Sequence, residues 1–381
     1  MDGLPNNLHV AVIGAGAFGG WTALYLLRRG AKVTLLDAWG PGNSRASSGG
    51  ESRIIRGTYG AKQPYTKMSA RALQLWREHE ERWRVQLLHR TGVLWMAATE
   101  NDEFERSSLD SLRQAGVPYQ ELSVGEMARR WPQINFEGVR WGIYEPEGGF
   151  LRARFACQKV MEGFVAEGGE FRQVAALANG LENGVRSVEL SDGSKLVADK
   201  YVFACGPWLG KLFPRTIGKL VRATRQELFF FGPPAGDERF SEGNLPVWAD
   251  HRERFVYGMP ASDGRGFKVA DDTRGPEFDP TSGDRSVSPE GLELAREYLG
   301  FRFPGMKSAP LIEARVCQYE NTPDENFIID QHPKAENVWV VGGGSGHGFK
   351  HGPALGEMMA ELVMEEKDPA PMFRLARFSR A

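Results

Sequence analysis

The sequence predicts an α/β fold, α+β overall, in which a parallel-sheet domain is assembled from separated stretches of chain and a strand-rich domain is inserted between them. Three observations carry this. A short apolar run, His9 to Ile13, breaks into Gly14-x-Gly16-x-x-Gly19, passes into a helical pattern and returns as a second apolar run closing on Asp37. Residues 220–320 change character, with short strand patterns between loops rich in Pro, Gly and Asp. The last segment returns to strand, glycine loop and helix, so the first kind of domain resumes after the interruption. The expected division gives residues 1–85, 150–220 and 322–381 to a discontinuous Rossmann-like domain and residues 86–149 and 221–321 to the inserted one.

In the first unit each glycine has a steric reason. Gly14 makes the tight turn, Gly16 lets a pyrophosphate approach the backbone, and Gly19 lets helix and strand pack closely. Ala15, Ala17 and Phe18 complete the turn, and the helix carries Trp21, Leu24, Tyr25 and Leu27 to Arg29, with Gly30 as its stop. Its N-terminus offers free N–H groups and a positive dipole end to phosphates. Asp37, 23 residues after Gly14, is placed to accept hydrogen bonds from a ribose. The glycine spacing alone is weak evidence. With a strand before it, a helix after it and an acid ending the next strand, it points to a dinucleotide.

A glycine- and serine-rich loop follows and runs into Arg53-Ile54-Ile55-Arg56, expected as a short helical turn with both cations near one side. Helical periods span Pro64–Trp83, Asn101–Ala115, Ser123–Arg130 and Ala153–Glu167, around a strand at Gly92–Ala97 and a crossing point at 137–150. A hairpin is expected from strands near 186–190 and 195–199, joined by Ser191-Asp192-Gly193-Ser194. Tyr201–Ala204 ends at Cys205-Gly206-Pro207-Trp208, the kind of strand end that approaches a cofactor. Strands at Gln226–Phe231, Arg254–Met259 and Gly266–Val269 and a helix at 289–299 make up the inserted region. Strand Val338–Val341, a glycine loop through Gly346-His347-Gly348, and helix Pro353–Glu366 close the chain, with proline near the first helical turn.

At 381 residues the chain has room for two domains, and 41% apolar with 25% charged residues is ordinary for a globular enzyme. A net charge of −2 leaves no electrostatic footprint for nucleic acid or an anionic membrane. No apolar run has the length of a membrane span. Met1–Pro5 lacks the features of a secretion signal, and Phe378–Ala381 is not a peroxisomal address. Cys157, Cys205 and Cys317 are too far apart for a disulfide framework or a zinc cluster, so no metal is expected and a reducing cytoplasm is the expected compartment.

Gly14–Gly19, Arg53-Ile54-Ile55-Arg56, Lys268, Cys317-Gln318-Tyr319 and Ser345-Gly346-His347-Gly348-Phe349-Lys350 together resemble the monomeric sarcosine oxidase family, within the D-amino-acid-oxidase-like flavoproteins. The resemblance runs from about residue 8 to about residue 366. It implies an FAD-dependent oxidase, a monomer by family habit, that acts on N-methyl or cyclic amino acids with O₂ and yields an imine and H₂O₂. Cys317 falls where the family attaches FAD through a cysteinyl sulfur; from chemistry alone the residue is a small hydrophobe, unless Arg315 points beside it and favours the thiolate. The resemblance gives Lys268 the activation of oxygen, Arg56 and Lys350 the substrate carboxylate, Tyr257 and Tyr319 the pocket walls, and Arg53 a place beside the flavin. Val174 corresponds to a backbone contact with adenine, and Gly346, His347, Gly348 and Lys350 to the loop facing the flavin, where the closing helix aims its positive end.

Two departures bear on the substrate. Gly49 stands where the family has histidine, which is expected to open space beside the flavin. Asp272 stands where sarcosine oxidase has another histidine, whereas deglycating fructosyl-amine oxidases carry an acid there; a plain acidic loop, Asp271-Asp272, is the competing reading. Sarcosine is therefore expected to be a poor substrate. A flavin dehydrogenase using another acceptor, a deglycating oxidase and a nicotinamide enzyme remain the alternatives. No general base is evident, and the amine is expected to bind unprotonated.

Overall fold

The computed structural model describes residues 8–181, 184–252 and 254–378. Met1–Pro5 and Ser379–Ala381, read above for targeting signals, lie outside these residues. The apolar run His9–Ile13 is strand β1, buried from Val10 to Ile13 as a strand covered on both faces must be. It pairs in parallel with β2 (Lys32–Asp37) on one side and β12 (Lys200–Phe203) on the other. The sheet continues to β9 (Glu170–Gln173) beside β2 and to β19 (Ala335–Gly342) beside β12. An antiparallel edge strand, β18 (Ile328–His332), completes the order β18-β19-β12-β1-β2-β9. The sheet thus collects strands from both ends and the middle of the chain.

Helices α1 (Ala17–Arg28), α2 (Gln63–Trp83), α5 (Ala153–Ala166) and α8 (Gly352–Glu365) pack around this sheet. The glycines of α8 explain how closely it approaches α1. A Cβ on Gly352 would meet Trp21 Cδ1 at 2.5 Å, and one on Gly356 would meet the Trp21 backbone at 2.6 Å. The C-terminal segment is thereby seated against the helix that opens from the glycine turn.

The second large sheet has the order β17-β13-β16-β15-β14-β5-β7-β6. It comprises β5 (Val93–Ala97), β6 (Gln120–Ser123), β7 (Trp141–Glu145), β13 (Arg222–Phe231), β14 (Val247–His251), β15 (Phe255–Met259), β16 (Phe267–Asp271) and β17 (Leu311–Asn321). Only the β14–β5 pair is parallel. Alternation along the strands divides its residues between two faces. Leu94, Phe229, Phe231, Trp248 and Phe267 pack with Leu299 and Phe303 around α7 (Pro289–Arg302). The opposite face presents Trp95, Tyr257, Lys268, Cys317 and Tyr319, brought level by the registers Trp95↔Ala249, Ala249↔Tyr257, Tyr257↔Ala270 and Met259↔Lys268.

Between the two large sheets lies a small one, β3 (Ser52–Ile55), β8 (Gly149–Arg152) and β4 (Leu88–His89). The expected helical turn over Arg53–Arg56 is therefore a strand end. Ile54 and Ile55 are β-branched and pair with Phe150 and Gly149, so sheet pairing overrides the i,i+3 reading. The remaining elements are α3 (Glu103–Gln114), α4 (Val124–Arg130), the short α6 (Leu209–Leu212), and the hairpin β10 (Val188–Glu189) with β11 (Lys195–Leu196), shorter than expected but in place. None of the helices is long and apolar enough to cross a membrane among the described residues.

Candidate active site

Two cavities adjoin between the sheets. The first is elongated. Asp37, Trp39, Val174 and Trp208 line it, together with the glycine turn (Gly14, Gly16, Ala17, Phe18) and Arg53, Tyr319, Gly346 and Gly348. Gly14 has φ +106°, a conformation that a side chain disfavours, and a Cβ there would meet Ala204 O at 2.4 Å. Gly19 lies behind the turn; its Cβ would sit 1.8 Å from Gly14 O, which is the close helix–strand contact the spacing predicts. Asp37 holds this turn, accepting from Ala15 N (2.8 Å) and Trp39 N (2.9 Å), and burial holds its carboxyl above the usual range.

The second cavity, ≈ 920 Å³, shares Arg53, Gly346 and Phe349 with the first and is also lined by Arg56, Tyr59, Trp95, Tyr257, Lys268, Asp272, His347 and Lys350. The Arg56 guanidinium lies 4.8 Å from the Tyr59 ring and 4.7 Å from the Trp95 ring, and its buried Nη1 has no hydrogen-bond partner among the described residues. Trp95 is fixed in turn: its Nε1 donates to Glu105 Oε1 (2.7 Å), which also lies 2.8 Å from His251 Nδ1. Lys350 Nζ donates to Tyr59 Oη (2.8 Å) and to His347 O (3.0 Å).

Burial and neighbouring charge set the electrostatics. Lys268 is 2% exposed, donates to Ser52 O at 3.4 Å, and is pushed down to about 7 by burial and then by Arg53. Burial, followed by the Arg56 charge, holds Lys350 well below the usual lysine range. Asp272 is raised by burial, although Arg274 Nη1 donates to it at 3.0 Å and Tyr319 Oη at 2.8 Å. In the first cavity burial pushes the Glu320 carboxyl up to about 7; its Oε1 accepts from Gly344 N (3.2 Å) and its buried Oε2 has no partner among the described residues.

Residues 9–362 match the FAD dependent oxidoreductase (DAO) family. The chain belongs to that family. It is 28% identical over 370 residues to a monomeric sarcosine oxidase of Bacillus sp. (strain NS-129), across 96% of this chain and 95% of the relative. An N-methyl-L-tryptophan oxidase of Salmonella enteritidis PT4 is 30% identical over 383 residues, with 97% and 98% covered. Among solved structures, an L-proline dehydrogenase from P. horikoshii superposes with a TM-score of 0.84 at 21% identity over 99% of both chains, which shows the shared fold.

The first cavity fits the FAD of this oxidoreductase family. It is long and largely apolar, passes the glycine turn where a Cβ on Gly16 would crowd Ser48 Oγ at 3.1 Å, and holds one buried unmatched acceptor in Glu320. Gly14, Gly16, Ala17, Phe18, Asp37, Arg53, Val174, Gly346 and Gly348 all line it, as does the strand end Cys205–Trp208. Ala15 acts behind the lining through its N–H to Asp37. His347, expected with the cofactor, instead lines the second cavity, where its Nε2 donates to Glu325 O (3.0 Å) and its ring packs edge-on against Tyr65 and Tyr59. Cys317 Sγ lies 3.3 Å from Arg53 Nη2 on the sheet face that carries Tyr257.

Two expectations about side-chain direction are corrected. Arg315 does not serve Cys317: it pairs with Glu313 and Glu51, and the adjacent cation is Arg53. Gly49 opens no space beside a cofactor, because its Cβ would meet Asn43 O at 1.9 Å; the backbone of its own loop fills that volume. Asp272 does line the second cavity and is not an idle surface loop residue. Tyr59, Trp95, Glu105, His351 and Glu320 were not legible as site residues. Trp95 reads as a core residue of a buried strand, and nothing in the sequence near Tyr59 separates it from the core.

Proposed function

We propose that this protein oxidises an N-substituted amino acid, a secondary amine, with FAD as cofactor and O₂ as acceptor. The products are H₂O₂ and an imine, which hydrolyses to an aldehyde or keto product and an amine. The observation that carries the reading is Arg56. A buried guanidinium N–H without a partner, stacked between two aromatic rings and sharing a cavity with Lys350, calls for an anion. An α-carboxylate answers it, and relatives named for oxidising N-methylated amino acids support the choice.

FAD, when bound, would supply the two-electron chemistry and the reactivity toward O₂. Gly14, Gly16, Ala17, Phe18, Asp37, Val174 and the Gly346–Gly348 loop would hold it, with Cys317 as its covalent attachment point, activated by Arg53. The protein's own part is placement. Arg56 and Lys350 orient the carboxylate, while Tyr59, Trp95 and Tyr257 wall the cavity against water; Tyr319, from the adjoining first cavity, holds Asp272. Lys268, beside Arg53, is the cation that stabilises negative charge developing on O₂. A cavity of ≈ 920 Å³ offers far more room than N-methylglycine needs, and Asp272 adds a polar wall, so a bulkier or more polar amino acid derivative is the preferred substrate. We place the protein in the cytoplasm as a monomer, on its three free cysteines and its monomeric relatives.

The test is anaerobic bleaching of the flavin across N-methyl, cyclic, primary and fructosyl amino acids. Bleaching by N-substituted acids larger than sarcosine, with peroxide on admission of air, is the expected result; no bleaching by any of them overturns the reading. Lys268→Met should slow reoxidation severely and leave anaerobic reduction much less affected. Yellow colour should stay with the acid-precipitated protein if Cys317 holds the flavin.

A further inference from the structure

The second cavity contains a lysine whose surroundings suit a neutral amine better than an ammonium. Both recorded hydrogen bonds of Lys350 Nζ go to neutral oxygens, Tyr59 Oη and the His347 carbonyl, and among the described residues it makes no ion pair. A neutral amine has two N–H donors, so these two bonds use both, and its lone pair remains for the cavity that Lys350 lines. Resting on the amino-acid oxidase reading above, we propose that Lys350 is the base that takes a proton from the substrate ammonium as the zwitterion docks, after which the new lysyl ammonium holds the carboxylate.

The groups facing Lys350 are consistent with this role. Arg56 and Lys350 both lie over the Tyr59 ring, 4.8 and 5.2 Å from its centroid, so Arg56 opposes a second cation there; burial disfavours charge still more. His347 and His351 are both held well below the usual histidine range, chiefly by burial, so they bring no charge to the site. His347 Nε2 donates to the Glu325 carbonyl, which leaves Nδ1 as an acceptor 3.3 Å from Tyr59 Oη; His351 Nε2 lies 2.8 Å from the same hydroxyl. Burial keeps the Tyr59 phenol protonated, so it can donate to a histidine nitrogen and accept from Lys350. Asp272 and Glu145 favour the ammonium from farther away, but Asp272 is already engaged by Arg274 and Tyr319, and Glu145 by the backbone N–H groups of Gly57 and Thr58.

The step balances. An N–H bond of the substrate ammonium breaks, its electron pair stays on nitrogen, and the proton forms a new N–H bond at Lys350 Nζ; nothing is oxidised or reduced. The freed nitrogen lone pair is what oxidation at the adjacent carbon requires. In an α-amino acid the amine lies next to the carboxylate, so one lysine can meet both groups. Arg56 cannot take the proton because a guanidinium stays charged. Lys268 is a poorer candidate: its neighbours are Ser52 O and Arg53, and it shares no hydrogen-bond partner with Lys350 among the described residues.

The experiment is proton-linkage calorimetry on the holoenzyme at about pH 8.5, with benzoate as a carboxylate that brings no ammonium proton. Two buffers of different ionisation enthalpy report the protons exchanged. About one proton per benzoate should be taken up by wild type and none by Lys350→Met. If Lys350→Met does not fold, Lys350→Arg, permanently charged, should bind benzoate with no uptake. Binding to wild type without uptake, or uptake that persists in either variant, overturns the proposal. Failure of the holoenzyme to bind benzoate or glycine betaine at all overturns the carboxylate-site reading on which it rests.

Discussion

The two adjoining cavities share Arg53, Gly346 and Phe349 but are built on different principles. The first cavity is shaped by the backbone of the glycine turn and walled by apolar side chains such as Phe18, Trp39, Val174 and Trp208. Its shape depends on where side chains are missing, at Gly14, Gly16 and Gly19, and on one acid, Asp37, that bonds across the turn. The second cavity is formed by side chains that meet only in the folded chain: Arg56 after β3, Trp95 from β5, Tyr257 from β15, Lys268 from β16 and Lys350 before α8. The first tolerates no added atoms. The second is a chain of contacts in which each group is held by another, so removing one member should shift function before it shifts stability.

The contrast can be broken first at Gly19. Adding one methyl group should cost on the order of 4 kcal/mol of apoprotein stability, because the obstacle at 1.8 Å is the backbone of Gly14 and cannot turn aside. The thermal midpoint of Gly19→Ala apoprotein measures this; an unchanged midpoint would mean that the turn is not held by close packing.

The next effect tests a buried carboxyl in the first cavity, Glu320. The folded-state pKa of Glu320 is raised, so the stability it contributes is present below its unfolded value of 4.5 and lost as pH rises through about 7. The loss amounts to about 3 kcal/mol for a shift of this size. Apoprotein carrying Glu320→Gln should therefore gain stability relative to wild type between about pH 4.5 and pH 8, as followed by urea unfolding at each pH. A difference that stays flat with pH would show that Glu320 is solvated.

The smallest effect sharpens the other half of the comparison. Glu105→Ala leaves the Trp95 indole N–H without its acceptor and loosens one face of the Arg56 sandwich. The cost should be about 1–2 kcal/mol, seen as roughly a tenfold rise in KM for a carboxylate substrate with kcat changed less, and restored by Glu105→Gln. Equal loss in kcat and KM would assign Glu105 to the fold rather than to positioning Arg56.

Legibility followed the same line. The glycine turn, its strand and helix, and the return of the chain to α/β structure were readable because each depends on neighbours in sequence. Strand β17 was not expected as a strand, although it carries Cys317 and Tyr319. Its cavity face bears Glu313, Arg315, Cys317 and Tyr319, so the apolar alternation that marks a half-buried strand is absent. Arg53–Arg56 failed for a related reason: an i,i+3 pair of cations suits a helical turn equally well until β8 is there to pair with it.

By itself the sequence determined the cofactor class and the α/β plan, and it named many of the residues that line the first cavity. It could do so because a glycine requirement and a βαβ unit are local, and because distinctive residue types at fixed spacings survive as motifs. Only the tertiary structure decided which partner each charged side chain has. It turned Arg315 toward Glu51 and Arg53 toward Cys317, stacked Arg56 between Tyr59 and Trp95, and left Lys350 among neutral oxygens. Burial and nearby charge then set what each group can do, and both are properties of packed surfaces from distant parts of the chain, which no spacing along it encodes.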